Sequence, residues 1–160
     1  MKNRVRFITY SAIIAALYVI LTGLSAVLHL ANGPIQIRLA EALTILPMFT
    51  PAAIPGLFVG CILGNFLSGC LVWDVVFGSL ATLIGAAGTY LLRKRNKYLA
   101  VLPPILANML IVPAILQHVY GVEDFYWFLM LTVGVGEVLS AGVGGLMLHN
   151  TLSKTKMFHS

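Results

Sequence analysis

The spacing of charges constrains this chain more than any other feature. No charged residue lies between Arg6 and Arg38, between Glu41 and Asp74, between Asp74 and Arg93, or between Lys97 and Glu123. A helix needs roughly 20 apolar residues to cross the hydrocarbon core of a bilayer. Charged residues are 9% of the chain, where a soluble domain carries about a quarter. In water, apolar runs of this length would expose more surface than folding could bury. The sequence therefore predicts an all-α integral membrane protein, a single transmembrane domain over residues 1–160.

The basic residues indicate topology. Lys2, Arg4 and Arg6 precede the first apolar run, Arg93, Lys94, Arg95 and Lys97 form one cluster, and Lys154 and Lys156 form another. Clusters of this kind mark cytoplasmic loops. If all three are cytoplasmic, an even number of spans separates each pair. Two helices over 7–92 would each be about twice the needed length, so four are expected there and two more before the end. The expected helices are 7–29, 38–50, 54–70, 72–92, 98–118 and 125–149, six transmembrane helices with both termini cytoplasmic. The second is short for a span. An outer loop at 30–37 carries an Asn-Gly-Pro turn signal. Pro51 and Pro55 mark a tight inner turn, and Pro47 ends or kinks the short helix. The basic start followed by an apolar run imitates a signal peptide. The run is long and no clear cleavage site follows, so a retained first helix is expected.

The net charge of +5 belongs to these helix ends, so no nucleic-acid role is inferred. No phosphate-cradling P-loop, H-E-x-x-H or G-x-S-x-G pattern occurs. Catalysis has no visible apparatus, no cofactor or metal is implied, and binding or transport leads by elimination. Cys61 and Cys70 fall in one expected helix. A disulfide is excluded there, because Cα atoms nine residues apart lie roughly 13 Å from each other. They are expected to be buried thiols.

The polar residues inside apolar segments carry the functional signal. Glu137 lies near mid-membrane, where a carboxylate is costly and marks a functional site by default; the bland alternative is a protonated side chain bonded to another helix. Asp74 and Glu41 each suit a first helical turn, Glu41 with Arg38 three residues before it as a partner. Asn65 and Asn108 read as interhelical hydrogen-bonding residues or as ligand contacts. Trp73, Tyr126 and Trp127 suit an aromatic belt and could also stack on a planar ligand. Arg38, Glu41, Asp74 and the aromatics map to the outer half of the bundle, with Asn65 leaning that way and Glu137 as the floor. An outward cavity lined by acids suits a small ligand that carries a cation or an array of N–H donors.

The stretches "IRLAEALTILPMFTPAAIPGLFVGCILGN", "DVVFGSLATLIGA", "NMLIVPAIL" and "VGVGEVLSAGVGG" resemble the QueT family over nearly the whole chain from Arg38 to Gly145. The resemblance implies the substrate-binding S component of a prokaryotic energy-coupling-factor transporter in the plasma membrane, taking up queuosine precursors. It implies six helices, an outward pocket, and partnership with a transmembrane T subunit and two ATPase subunits. The implied ligand is 7-aminomethyl-7-deazaguanine, whose N–H donors and amine suit carboxylates. It also gives Ala12 and Ala16, one turn apart on the first helix, the role of docking the T subunit. The rivals are an S component for another vitamin or nucleobase-like ligand, a stand-alone permease, and last a membrane-embedded enzyme.

Overall fold

In the computed structural model the described residues are 2–31 and 35–155. The expected Asn32-Gly33-Pro34 turn, Lys156 and His159 lie outside them. The described chain is helical throughout: α1 (Lys2–Val27), a 3₁₀ helix (Leu39–Met48), α2 (Ala53–Leu67), α3 (Val72–Leu92), α4 (Lys97–Ala100), α5 (Leu102–His118), α6 (Tyr126–Glu137), a π-helical segment (Val138–Gly144) and α7 (Gly145–Lys154). Four stretches are long and apolar enough to cross a membrane: Asn3–Val27, Val72–Leu92, Lys97–His118 and Tyr126–Lys154. The expected boundaries hold to within a few residues, apart from the ends of α1 and α7.

The two remaining helices correct the six-span expectation in one respect. The 3₁₀ helix has ten residues and so rises about 20 Å. The 15 residues of α2 rise about 22 Å. Neither spans a bilayer core of about 30 Å alone. The 3₁₀ helix is also an interior element. Seven of its ten residues are buried, Ala40, Glu41 and Leu43 to Pro47, and α1, α3, α7 and the π segment wall it in. Isolated 3₁₀ runs rarely exceed four residues, so packing sustains this one. Its first amides are satisfied from outside. Leu39 N donates to Ser25 Oγ of α1 at 2.9 Å, and Arg38 N donates to Ser140 Oγ of the π segment at 3.1 Å. Pro55 differs slightly from expectation, since it sits in the first turn of α2 beyond the 49–52 connection, where its missing N–H costs little.

Close backbone approach holds the bundle together. Gly56, Gly60 and Gly64 of α2 lie four apart on one face against α1. A Cβ on Gly60 would lie 2.7 Å from Tyr18 Cβ and 3.0 Å from the Ala15 backbone, and one on Gly56 would lie 2.7 Å from the Ser11 carbonyl. In lipid this packing replaces the hydrophobic effect as the force between helices. One core cluster joins Ile14 and Tyr18 of α1, Leu43 and Leu46 of the 3₁₀ helix, Leu57 and Cys61 of α2 and Ala86 of α3. The helices alternate in direction. Residues 28–31, 35–38, 68–71 and 119–125 therefore gather at one end, and 49–52 and 93–96 gather at the other.

Candidate binding site

A cavity of about 460 Å³ opens at the end formed by 28–31, 35–38, 68–71 and 119–125. Of the residues expected at the site, Arg38, Asn65 and Asp74 line it. Asp74 is buried in the first turn of α3, and its Oδ2 accepts from the Tyr120 hydroxyl at 3.0 Å. Burial pushes the Tyr120 phenol up to about 12, so at neutral pH it keeps its proton and donates. Asn65 sits beside Asp74 because Gly78 has no side chain. A Cβ there would lie 3.2 Å from Asn65 Nδ2 and 3.4 Å from Asp74 Oδ1.

Glu41 lies deeper than the rim position expected for it. It is 1% exposed, and it meets other groups than the expected Arg38. Tyr18 of α1 donates its hydroxyl to Glu41 Oε1 at 2.5 Å, and Asn108 Nδ2 of α5 donates to Oε2 at 3.4 Å. The Arg38 guanidinium donates to Gln36 Oε1 at 3.5 Å. Asn108 also lies beside the side chain of Glu137. Glu137 Oε2 is buried with no hydrogen-bond partner among the described residues. The Tyr18–Glu41–Asn108–Glu137 chain therefore lies behind the wall of the cavity and ends in a free carboxyl oxygen. Arg38 is the cation that feels Asp74, Glu41 and Glu137 together. Arg38 and Asp74 place one guanidinium and one carboxyl group on the cavity wall, with Glu41 and Glu137 behind it.

The aromatic residues do not come to the cavity. Trp73 is 60% exposed and stacks on Phe77 with ring centroids 6.0 Å apart. Trp127 is exposed, and the Tyr126 hydroxyl donates to the Leu110 carbonyl at 2.6 Å. None of the three lines the cavity. Cys61 and Cys70 are free thiols, as expected. Only Cys61 is buried, however. Cys70 lies between α2 and α3 and lines the cavity.

Sequence reasoning passed over the α1 wall. Tyr18, Thr22 and Ser25 line the cavity at helical spacing, and this polar stripe in an otherwise apolar helix was a legible signal. Their hydroxyls share one property. Thr22 donates to the Tyr18 carbonyl at 2.8 Å, Ser25 to the Leu21 carbonyl at 2.9 Å, Tyr18 to Glu41 and Tyr120 to Asp74. Each hydroxyl hydrogen is committed to the protein, which leaves oxygen lone pairs as acceptors. These four oxygens suit the N–H donors of a ligand.

Comparison with known proteins gives a family for this apolar helical bundle. The family description "QueT transporter" matches residues 8–154. The chain belongs to the QueT transporter family. Families of transporters bind and move a solute, so the QueT assignment places the chain outside the enzymes and makes it a multi-pass membrane protein. A curated relative, the queuosine precursor transporter QueT of Lactococcus lactis subsp. cremoris (strain MG1363), is 44% identical over 86 residues. That match covers 52% of this chain and 48% of the relative, so the chain spans about half the length of the curated relative it matches. No solved structure matches the chain.

Proposed function

We propose that this QueT family member is the substrate-binding S component of an energy-coupling-factor transporter and captures 7-aminomethyl-7-deazaguanine at the cavity. The observation that carries the reading is the commitment of the Tyr18, Thr22, Ser25 and Tyr120 hydroxyls as donors toward the protein, beside Asp74 on the cavity wall. The ligand brings what such a site lacks. Its guanine-like edge offers several N–H donors, and its aminomethyl group is cationic at neutral pH. Asp74, on the cavity wall, is the proposed partner of the amine. Glu137, with its free oxygen, is the proposed acceptor for the guanine-like edge, and Glu41, Asn108, Asn65 and Arg38 complete the shell. A charge-assisted hydrogen bond is roughly twice as strong as a neutral one, so two such contacts anchor both ends of a small planar molecule.

The topology proposed with this function puts both termini, and the loop at 93–96, in the cytoplasm of a prokaryotic cell. The basic residues Arg93, Lys94, Arg95, Lys97 and Lys154 then face inward, opposite the cavity. The proposed partners are a T subunit and two ATPase subunits. Ala12 and Ala16 are both exposed on α1, as docking of the T subunit requires.

The test is calorimetric titration of the purified protein in detergent, without ATP or partners, with the aminomethyl deazaguanine and with guanine. Binding of the precursor is expected, with guanine weaker because it lacks the amine. A protein that binds neither compound yet retains an unrelated vitamin would overturn the substrate. Failure to copurify with T and ATPase subunits from membranes that contain all of them would overturn the assignment as an S component.

A further inference from the structure

Tyr18 occupies an unusual position among the cavity residues. It lines the cavity, it is 2% exposed, and its hydroxyl touches Glu41, which is not itself among the lining residues. The contact is short, 2.5 Å, in the range of an O–H bond to a carboxylate. A tyrosine hydroxyl has one hydrogen and two acceptor lone pairs. Here the hydrogen is held by Glu41 Oε1, so the phenol oxygen can only accept from anything that enters the cavity. Donation to a carboxylate also polarises that oxygen and makes it a better acceptor than a free phenol.

We infer that Tyr18 is a ligand-contacting residue: its oxygen accepts an N–H of the bound molecule and carries the charge of buried Glu41 to the cavity wall. The assignment rests on the cavity being the ligand site. It adds to that reading a residue on α1 and a division of labour between the carboxyl groups. Asp74 meets the ligand directly, while Glu41 acts through Tyr18. The relay is held on both sides. The base of the Tyr18 side chain sits against Gly60, where a Cβ would lie 2.7 Å from Tyr18 Cβ. Glu41 is fixed at its other oxygen by Asn108. The remaining titratable neighbours of Glu41 are Arg38 of its own segment, Cys61 of α2 and Glu137 of α6. α7 also packs on the 3₁₀ helix, and it brings His149 against Phe49, just beyond the far end. Of the groups around Glu41, Tyr18 and Arg38 also reach the cavity, and Tyr18 is the one that hydrogen-bonds to Glu41.

The test is a double-mutant cycle on ligand affinity. Kd for the aminomethyl deazaguanine is measured by calorimetry for wild type, Tyr18→Phe, Glu41→Gln and the double variant. Each single change is expected to weaken binding about tenfold. The double variant is expected to match the weaker single variant within about twofold, because removing the phenol oxygen removes the hydrogen-bonded route from Glu41 to the ligand. A purely structural role for Tyr18 would make the two effects multiply. A second measurement keeps the native fold: 3,5-difluorotyrosine at position 18 retains the phenol's shape but withdraws electron density from its oxygen, and is expected to weaken binding at least threefold. Wild-type affinity in Tyr18→Phe, wild-type affinity in the fluorinated protein, or multiplying effects in the cycle would each overturn the inference. Failure of wild type to bind would instead strike the proposed ligand, a separate result.

Discussion

Replacing Glu137 by Gln separates the two things a buried carboxylate can do. Glu137 is 4% exposed, and its Oε2 has no partner among the described residues. A buried polar atom left unpaired costs about 1–3 kcal/mol. In the empty protein Glu137 therefore contributes nothing to stability through that oxygen. When a ligand N–H meets it, that cost of about 1–3 kcal/mol is relieved. Gln keeps the shape but puts an NH₂ donor or a single carbonyl oxygen where the ligand needs acceptors. At 1.4 kcal/mol per factor of ten, binding is expected to weaken by about tenfold to a hundredfold. The melting temperature of the ligand-free variant is expected to be no lower than that of wild type, since no existing bond at Oε2 is broken. The assay is calorimetric titration in detergent beside a thermal melt of the empty protein, with Lys154→Ala as a surface control that changes neither. If Glu137→Gln binds the precursor as wild type does, Glu137 only packs. If the variant melts early and binds weakly, the residue holds the bundle together, and the separation of binding from stability argued here is wrong.

Three further outcomes follow from the packing and the topology. Gly60→Val should destabilise the protein by about 1–3 kcal/mol or more, because its Cβ strikes Tyr18 and the Ala15 backbone; Gly23→Ala should melt at or above the wild-type temperature, since a Cβ there meets no atom within 4 Å. Equal melting of the two variants would refute the close approach of α1 and α2. Ala12→Trp or Ala16→Trp should block copurification with the T subunit while leaving Kd within about twofold, because both residues are exposed on α1; lost ligand binding with intact copurification would point that face inward. In a background lacking Cys61 and Cys70, an impermeant thiol reagent on intact cells should label Glu123→Cys but not Asn96→Cys. Glu123 is the better outer probe because Gly121 has φ +66, which a cysteine would strain. The reverse labelling pattern would overturn the topology.

The helices were legible in the sequence because lipid leaves little choice. A charge-free run of this length must form a helix, since no other open structure satisfies its own backbone polar groups in hydrocarbon. The same scarcity of charge singled out Arg38, Glu41, Asp74, Asn65, Asn108 and Glu137, and the structure brings all six to the cavity or to the group of side chains behind its wall. What the sequence could not settle was which way a helix faces. In water a polar face marks the outside, but in lipid both faces are apolar and the pattern goes silent. Only tertiary packing turned Trp73 and Trp127 outward and placed Leu39–Met48 inside the bundle as a 3₁₀ helix. It also set Glu41 against Tyr18 and Asn108, where spacing alone had suggested Arg38. Spacing along a helix brings residues three or four apart together, whereas Tyr18 and Glu41 meet across 23 residues of sequence because glycines on α2 let α1 come close enough.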